Sequence, residues 1–209
     1  QASTHTADLN ASVQLQMLWV EPGTFTMGSP TSEPGRSTIT NRETEHNVTL
    51  SKGFYLGKYE VTQAQYEAVM TGNTDGLSAT PSQFAGANRP VEQVSWENIQ
   101  VFLTSLNQQQ AGNLPTGWSY VLPTESQWEY ACRAGTTTAY SWGDTISNIN
   151  ANYNSYIGET TNVGDYAANP CGFFDMHGNV REWTADWYQP AYPTGNPVFD
   201  PAGPESGSF

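Results

Sequence analysis

Helical periodicity stops at Gly135, and that one feature limits the fold more than any other. Before it, three segments carry apolar residues at helical spacing. Thr62 stands as an N-cap with Gln65 three residues on, and Tyr66, Val69 and Met70 share a face until Thr71-Gly72-Asn73 ends the run. A second helix is predicted from Ser95, with Trp96, Ile99, Val101, Phe102 and Leu106 on its apolar side, ending by Gly112. A third begins at Thr124, with Gln127 at the box position, and runs through Trp128, Tyr130 and Ala131 to Gly135. From Asp144 to Phe209, Gly, Asn and Pro interleave with aromatic residues and no long helix is predicted.

Short strands are expected ahead of the helices. Met17–Val20 and Thr24–Gly28 flank Glu21-Pro22-Gly23 and read as a hairpin. Two more runs, Asn47–Leu50 and Phe54–Val61, flank Ser51-Lys52-Gly53. Residues 1–14 are polar and read as an N-terminal arm, with one domain over 15–209. The class is α+β, with short strands, about three helices and long irregular loops. Gly and Pro together number 32, which fits so much loop. Most of the seven Trp are expected in the core.

Charge narrows the partners. Twenty acids stand against seven bases, a formal net charge of −13. Such a field repels phosphate backbones, so nucleic acid is excluded as a favoured partner, while excess carboxylate suits calcium or simple solubility. No apolar run reaches the ~20 residues of a membrane span. The chain starts at Gln1, has a polar opening and carries only Lys52 and Lys58 as lysines, which reads as an exported protein, secreted or at the cell surface. Asn10-Ala-Ser and Asn47-Val-Thr are glycan acceptor triplets, expected in exposed segments. Cys132 and Cys171 allow one disulfide or two free thiols, and neither zinc grouping nor a C-x-x-C motif is present.

Four ordered blocks carry a resemblance. They are Phe25–Gly28 with Phe54–Thr62, then Arg89–Trp96, then Leu122–Ala131, then Asp175-Met-His-Gly-Asn-Val-Arg-Glu-Trp183. Together they resemble the formylglycine-generating enzymes, or sulfatase-modifying factors, whose fold is a variant of the C-type lectin fold. The resemblance implies a calcium loop made by Asp175, Asn179 and Glu182 with carbonyls near Gly178 and Val180. The residue types agree, since Asp, Asn and Glu offer hard oxygen donors and Gly permits a tight turn; a plain side-chain-capped turn is the alternative. A second implied calcium site starts at Asn152 and Tyr153, with Asp165 the nearest acid to complete it. The resemblance also implies that Cys132 and Cys171 face each other, because the calcium block packs near the third helix in relatives.

The chain departs from that family at its end. The family's oxidases bind copper(I) through two cysteines that follow an Arg-Gly-Gly-Ser-Trp-like block, and the sequence reaches Phe209 before such a block. Cys132 and Cys171 do not match those positions. Copper is therefore expected only if a further segment supplies the cysteines. His5, His46 and His177 are too scattered for the three-histidine iron site of related sulfoxide-forming members, and His177 reads as a solvated turn residue. No Gly-x-Ser-x-Gly hydrolase elbow occurs. The expected function is a non-catalytic binding or assembly module, with a protein partner, self-assembly or a carbohydrate as ligand; the alternative is an oxidase completed beyond residue 209. An incomplete core is expected to leave an open strand edge, covered by another chain or by Trp187, Tyr188, Tyr192 and Phe199 from 184–209.

Overall fold

The computed structural model describes residues 3–37, 42–189 and 197–207. Six strands and three helices run β1 Thr4–Asp8, β2 Gln14–Val20, β3 Gly23–Met27, β4 His46–Leu50, β5 Phe54–Gly57, α1 Gln63–Met70, α2 Trp96–Gln110, α3 Glu125–Arg133 and β6 Val198–Phe199. The strands form two small sheets, ordered β1-β2-β5 and β3-β4-β6. All pairings are antiparallel except β4 with β6.

All three helices start where the sequence places them, because their first-turn amides are satisfied locally. Thr62, Ser95 and Thr124 each accept from the backbone three residues on, and Gln65, Asn98 and Gln127 return the bond. α3 closes on Ala134 in the left-handed region followed by Gly135 at φ 82°.

Two expectations about the strands are corrected. β2 and β3 are not a hairpin: β2 pairs with β1 and β5, and β3 with β4. Gly23 is needed for a close approach, since a Cβ there would lie 2.3 Å from the Tyr130 hydroxyl of α3. The ring of Tyr130 packs on Phe25 of β3. The N-terminal arm is also not free. Residues 4–8 form β1, with Thr4 opposite Leu18 and Asp8 opposite Gln14. Leu9 N–H donates to Val13 O, and Asn10 Oδ1 accepts from the amides of Ser12 and Val13 to close the turn. Ala7 and Leu9 are buried, an apolar pair too small to stand out among polar neighbours.

Ala7, Leu9 and Leu15 of the first sheet pack with Tyr66 and Met70 of α1, Phe102 and Leu106 of α2, and Tyr120. Val20, Ala131, Cys132, Phe173 and Met176 form a second cluster, which ties α3 to the loops beyond it. A third, Met27, Val48 and Leu50, lies under the second sheet. The tryptophans do not fill these cores: Trp118, Trp142 and Trp183 are exposed and the other four are half-buried. No helix among the described residues is long and apolar enough to cross a membrane. Asn10 and Asn47 are both exposed, Asn47 on β4.

Candidate functional site

The site is built from loops, held by one side chain that reaches three segments. Asp175 and Asn179 both take the left-handed region, at φ 60° and 66°, which short polar side chains tolerate best after glycine. Gly178 N–H donates to Asp175 O at 3.1 Å, and Asn179 N–H to Asn152 O at 2.8 Å. A Cβ on Gly178 would lie 2.4 Å from Asn152 O, so only glycine lets the two loops touch. Asn179 Oδ1 accepts from Thr161 N–H at 2.9 Å, while its Nδ2 donates to Glu60 Oε2 at 2.7 Å and to Thr161 O at 3.3 Å. Val180 N–H donates to Glu60 Oε1 at 3.2 Å.

The sequence-derived residues therefore divide. Asp175, Gly178, Asn179, Val180 and Asn152 come together. A void of about 10 Å³ lies among them, bordered by Asn152, Asp175, Gly178 and Asn179, about the volume that holds one water or one ion. Asp175 Oδ2 accepts from Gly164 N–H at 2.7 Å, but the other oxygen, Oδ1, is buried without a partner. The Tyr153 carbonyl, which is the ligand the resemblance implies there, accepts from Tyr156 N–H at 3.2 Å. Asp165 is exposed. Glu182 accepts from Trp128 Nε1 at 3.1 Å and opens onto a much larger cavity. Among the described residues no three His, Cys, Asp or Glu side chains are grouped as metal ligands. Asn152, Asp175 and Asn179 bring oxygen-bearing groups to the small void, which Trp142, Phe173 and Met176 also border, and Asp175 Oδ1 lacks a donor. That set fits a hard cation such as calcium.

Glu60 is the residue sequence reading missed. It lies two positions before the α1 cap, in Tyr59-Glu60-Val61-Thr62, and reads there as an ordinary polar position at a strand end. It is instead buried. Burial first, and then Glu182 and Asp175, push its carboxyl up to about 9, against the bonds from Asn179 and Val180. Glu182 is exposed by surface area, but protein crowds it along the cavity wall, and that crowding, with Asp175 adding to it, raises its carboxyl to about 7 against the bond from Trp128. Burial also raises Asp175, against the bond from Gly164. An acid inside an apolar run was the available signal.

The cysteines and His177 correct two readings. Both thiols are free. Asn169 brings their backbones together, donating to Ala131 O and Cys132 O and accepting from Cys171 N–H. The side chains go different ways, Cys132 inward to Met176 O and His177, Cys171 to the surface. His177 is not solvated. Its Nε2 accepts from Ser141 N–H, and its ring stands edge-on to Tyr140 and Trp142. Burial and then Arg133 hold its pKa down to about 4, so it is a neutral loop anchor. Burial pushes the Cys132 thiol up to about 12. On brief exposure of the native protein to iodoacetamide, mass spectrometry should find Cys171 alkylated and Cys132 intact until denaturant is added. Equal labelling would show that the Cys132 pocket opens readily.

The large cavity has a volume of about 820 Å³. β5, α2, the 114–123 loop and residues 174–183 wall it, with Trp118, Val121 and Trp183 at exposed positions. The open first sheet is part of that wall. Of the sequence anchors for this region, Tyr188 and Phe199 are exposed, Trp187 packs on Trp96, and Tyr192 lies outside the described residues.

Two small sheets, three capped helices and a loop-built site on the Gly178-Asn179 turn define an α+β domain of the formylglycine-generating-enzyme type. The sulfatase-modifying factor enzyme 1-like domain matches residues 4–203, and the chain belongs to that family. Chaperone protein LppX of Paenibacillus barcinonensis is 31% identical across 86% of this chain and 74% of its own length. Formylglycine-generating enzyme of Streptomyces coelicolor is 30% identical across 58% of this chain, and the match spans only 40% of that enzyme. PvdO from Pseudomonas aeruginosa superposes with a TM-score of 0.79 at 25% identity, covering 99% of this chain and 84% of its own.

Proposed function

We infer that this protein is an exported, calcium-stabilised and non-catalytic module that binds another polypeptide. The observation that carries the reading is the cavity of about 820 Å³, open to solvent and walled by apolar and aromatic side chains beside a sheet edge. Well-packed interiors leave few voids larger than a water molecule, so a recess of this size is a place for a ligand. The likeness to a protein named as a chaperone supports a polypeptide as that ligand. The non-catalytic part rests on this chain's own thiols. A copper(I) site needs a pair of accessible thiolates, whereas Cys132 is buried with its pKa near 12 and Cys171 points elsewhere.

Calcium belongs to the framework of this reading. Asn152, Asp175 and Asn179 would hold it beside the small void, with the carboxyls of Glu60 and Glu182 adding negative charge nearby. Export is supported by the net charge of −13 and the two lysines. The test is binding of fluorescein-labelled, reduced and carboxymethylated α-lactalbumin, a permanently unfolded chain, followed by fluorescence polarisation. Saturable binding, competed by the apolar dye ANS, is expected. No polarisation change at millimolar protein would overturn the reading.

A further inference from the structure

We propose that residues 140–158 form a surface through which two copies of this chain associate. None of these residues lines the large cavity, so the surface is separate from the polypeptide-binding reading above. Of the large apolar side chains left exposed among the described residues, four fall in this stretch: Trp142, Ile149, Tyr156 and Ile157. Ile149 is exposed by 88% and Tyr156 by 71%. Apolar groups exposed singly are ordinary, whereas a cluster of them marks a contact surface. The segment also holds its own shape. Tyr140 and Gly143 exchange backbone hydrogen bonds, and Trp142 Nε1 donates to Thr145 O. Asn150 and Ala151 N–H both donate to Ser147 O, and the Tyr153 hydroxyl donates to Ile146 O. Asn152 Nδ2 donates to Glu159 O at 2.9 Å and closes the neck of the turn that carries Tyr156 and Ile157. Asn154 and Ser155, next to Tyr156, both take the left-handed region, at φ 53° and 55°, which consecutive residues other than glycine rarely do. Side chains already held in place lose little freedom on binding.

The chemistry of the segment selects a second copy as its occupant. Thirteen of the nineteen residues are Tyr, Trp, Ser, Asn or Gly, the types that dominate protein-recognition loops. No charged side chain lies between Asp144 and Glu159, and charge is depleted at the centre of protein interfaces. A two-fold contact sets one patch against itself, so its groups must be self-complementary. Ile149 and Ile157 meet that condition through apolar contact. The Asn, Ser and Tyr side chains meet it because each carries both a donor and an acceptor. Carboxylates fail it, and a chain of −13 repels its own copies except where charge is absent. Nineteen residues are at the small end of the roughly 20–30 on each side of a standard interface, so the association is expected at micromolar concentration.

The experiment is sedimentation equilibrium of the whole chain from about 1 μM to about 1 mM, the span over which such a contact saturates, in low and in high salt. The mass is expected to rise with concentration from that of one chain towards that of two. The rise should be steeper in high salt, which screens the repulsion between two acidic copies. Ile149→Asp and Tyr156→Asp, at exposed positions, should each raise the dimer Kd about tenfold or more and leave the melting temperature unchanged. Phe199→Asp adds the same charge at an exposed position of β6 and should leave the dimer Kd unchanged. A single-chain mass at every concentration would overturn the proposal and leave the surface to a different protein. A dimer that Ile149→Asp and Tyr156→Asp both leave intact would overturn it by placing the contact elsewhere. A dimer weakened by salt would overturn it in favour of a contact between opposite charges. None of these outcomes depends on the binding of α-lactalbumin, so this proposal and the polypeptide-binding reading stand or fall separately.

Discussion

In chelator, the stability of this protein is expected to fall as pH rises from about 5 towards 9, and calcium is expected to remove that fall. Glu60 has its folded-state carboxyl pushed from the ordinary 4.5 up to about 9, and Glu182 is pushed up to about 7. Across that window the folded state keeps protons that the unfolded chain has released. Stability falls with pH wherever the native state binds more protons. The proton on buried Glu60 changes the free energy by about 1.4 kcal/mol per pH unit, and exposed Glu182 contributes less because solvent screens it. Below the ordinary carboxyl range both states are protonated, and the effect is fully relaxed. A divalent cation bound beside Asp175 would take over the role of the protons, because it would stabilise the ionised carboxylates that otherwise repel one another. Saturation at about a hundredfold over Kd would contribute about 2.7 kcal/mol. Melting curves in chelator and in calcium, taken at pH 5, 7 and 9, check this. The two sets should converge at the acid end and separate progressively above it. Asp175→Asn should shrink the separation, since it removes the charge of the side chain with the unpartnered oxygen. Superimposable curves at pH 9 would remove calcium from the account.

Local rules carried much of the fold, and the failures have a common cause. Thr62, Ser95 and Thr124 announced their helices because a capping box is complete within four residues. Strand pairing is decided at a distance. Phe25 and Met27 pair across to β4, and Tyr130 of α3 packs against Gly23 and Phe25; nothing near Pro22 records either. β1 was hidden because its contribution to the core rests on Ala7, with Leu9 just beyond it. In the site, Asp175, Gly178 and Asn179 were legible as a turn, and the Asn152 loop through the family resemblance. Glu60 was not, since its partners Asn179 and Val180 lie 119 and 120 residues away. The cavity left no local signal, because its walls come from stretches spread from His5 to Asp200. His177 shows the reverse error: a polar residue in a Gly-containing turn reads as solvated, yet three aromatic or sulfur-bearing neighbours enclose it.

Asn179→Ala is expected to destabilise the protein by about 3–4 kcal/mol, more than any other single loss of a polar side chain in the site. The side chain bridges Glu60, Thr161 and, through its backbone, Asn152. Truncation strands the Thr161 amide and one face of the Glu60 carboxyl, each at about 1–3 kcal/mol for a buried group left unsatisfied. It also puts alanine at φ 66°, which adds about 1–2 kcal/mol of left-handed strain. Asn179→Gly separates the terms, because glycine adopts that conformation freely. The glycine variant should recover the strain and keep the hydrogen-bond loss, so it should lie between the alanine variant and the parent in urea unfolding. Asn179→Asp tests the electrostatics. It keeps an acceptor for Thr161 and tolerates the backbone, but it turns the donor that faces Glu60 into a fourth carboxylate beside Glu60, Asp175 and Glu182. That variant should be weakest at high pH in chelator and should gain more from calcium than the parent does. If alanine and glycine at this position both lie within about 0.5 kcal/mol of the parent, the ordinary range of surface substitutions, then Asn179 does not hold these loops together and the site is assembled by the backbone contacts of Gly178 alone.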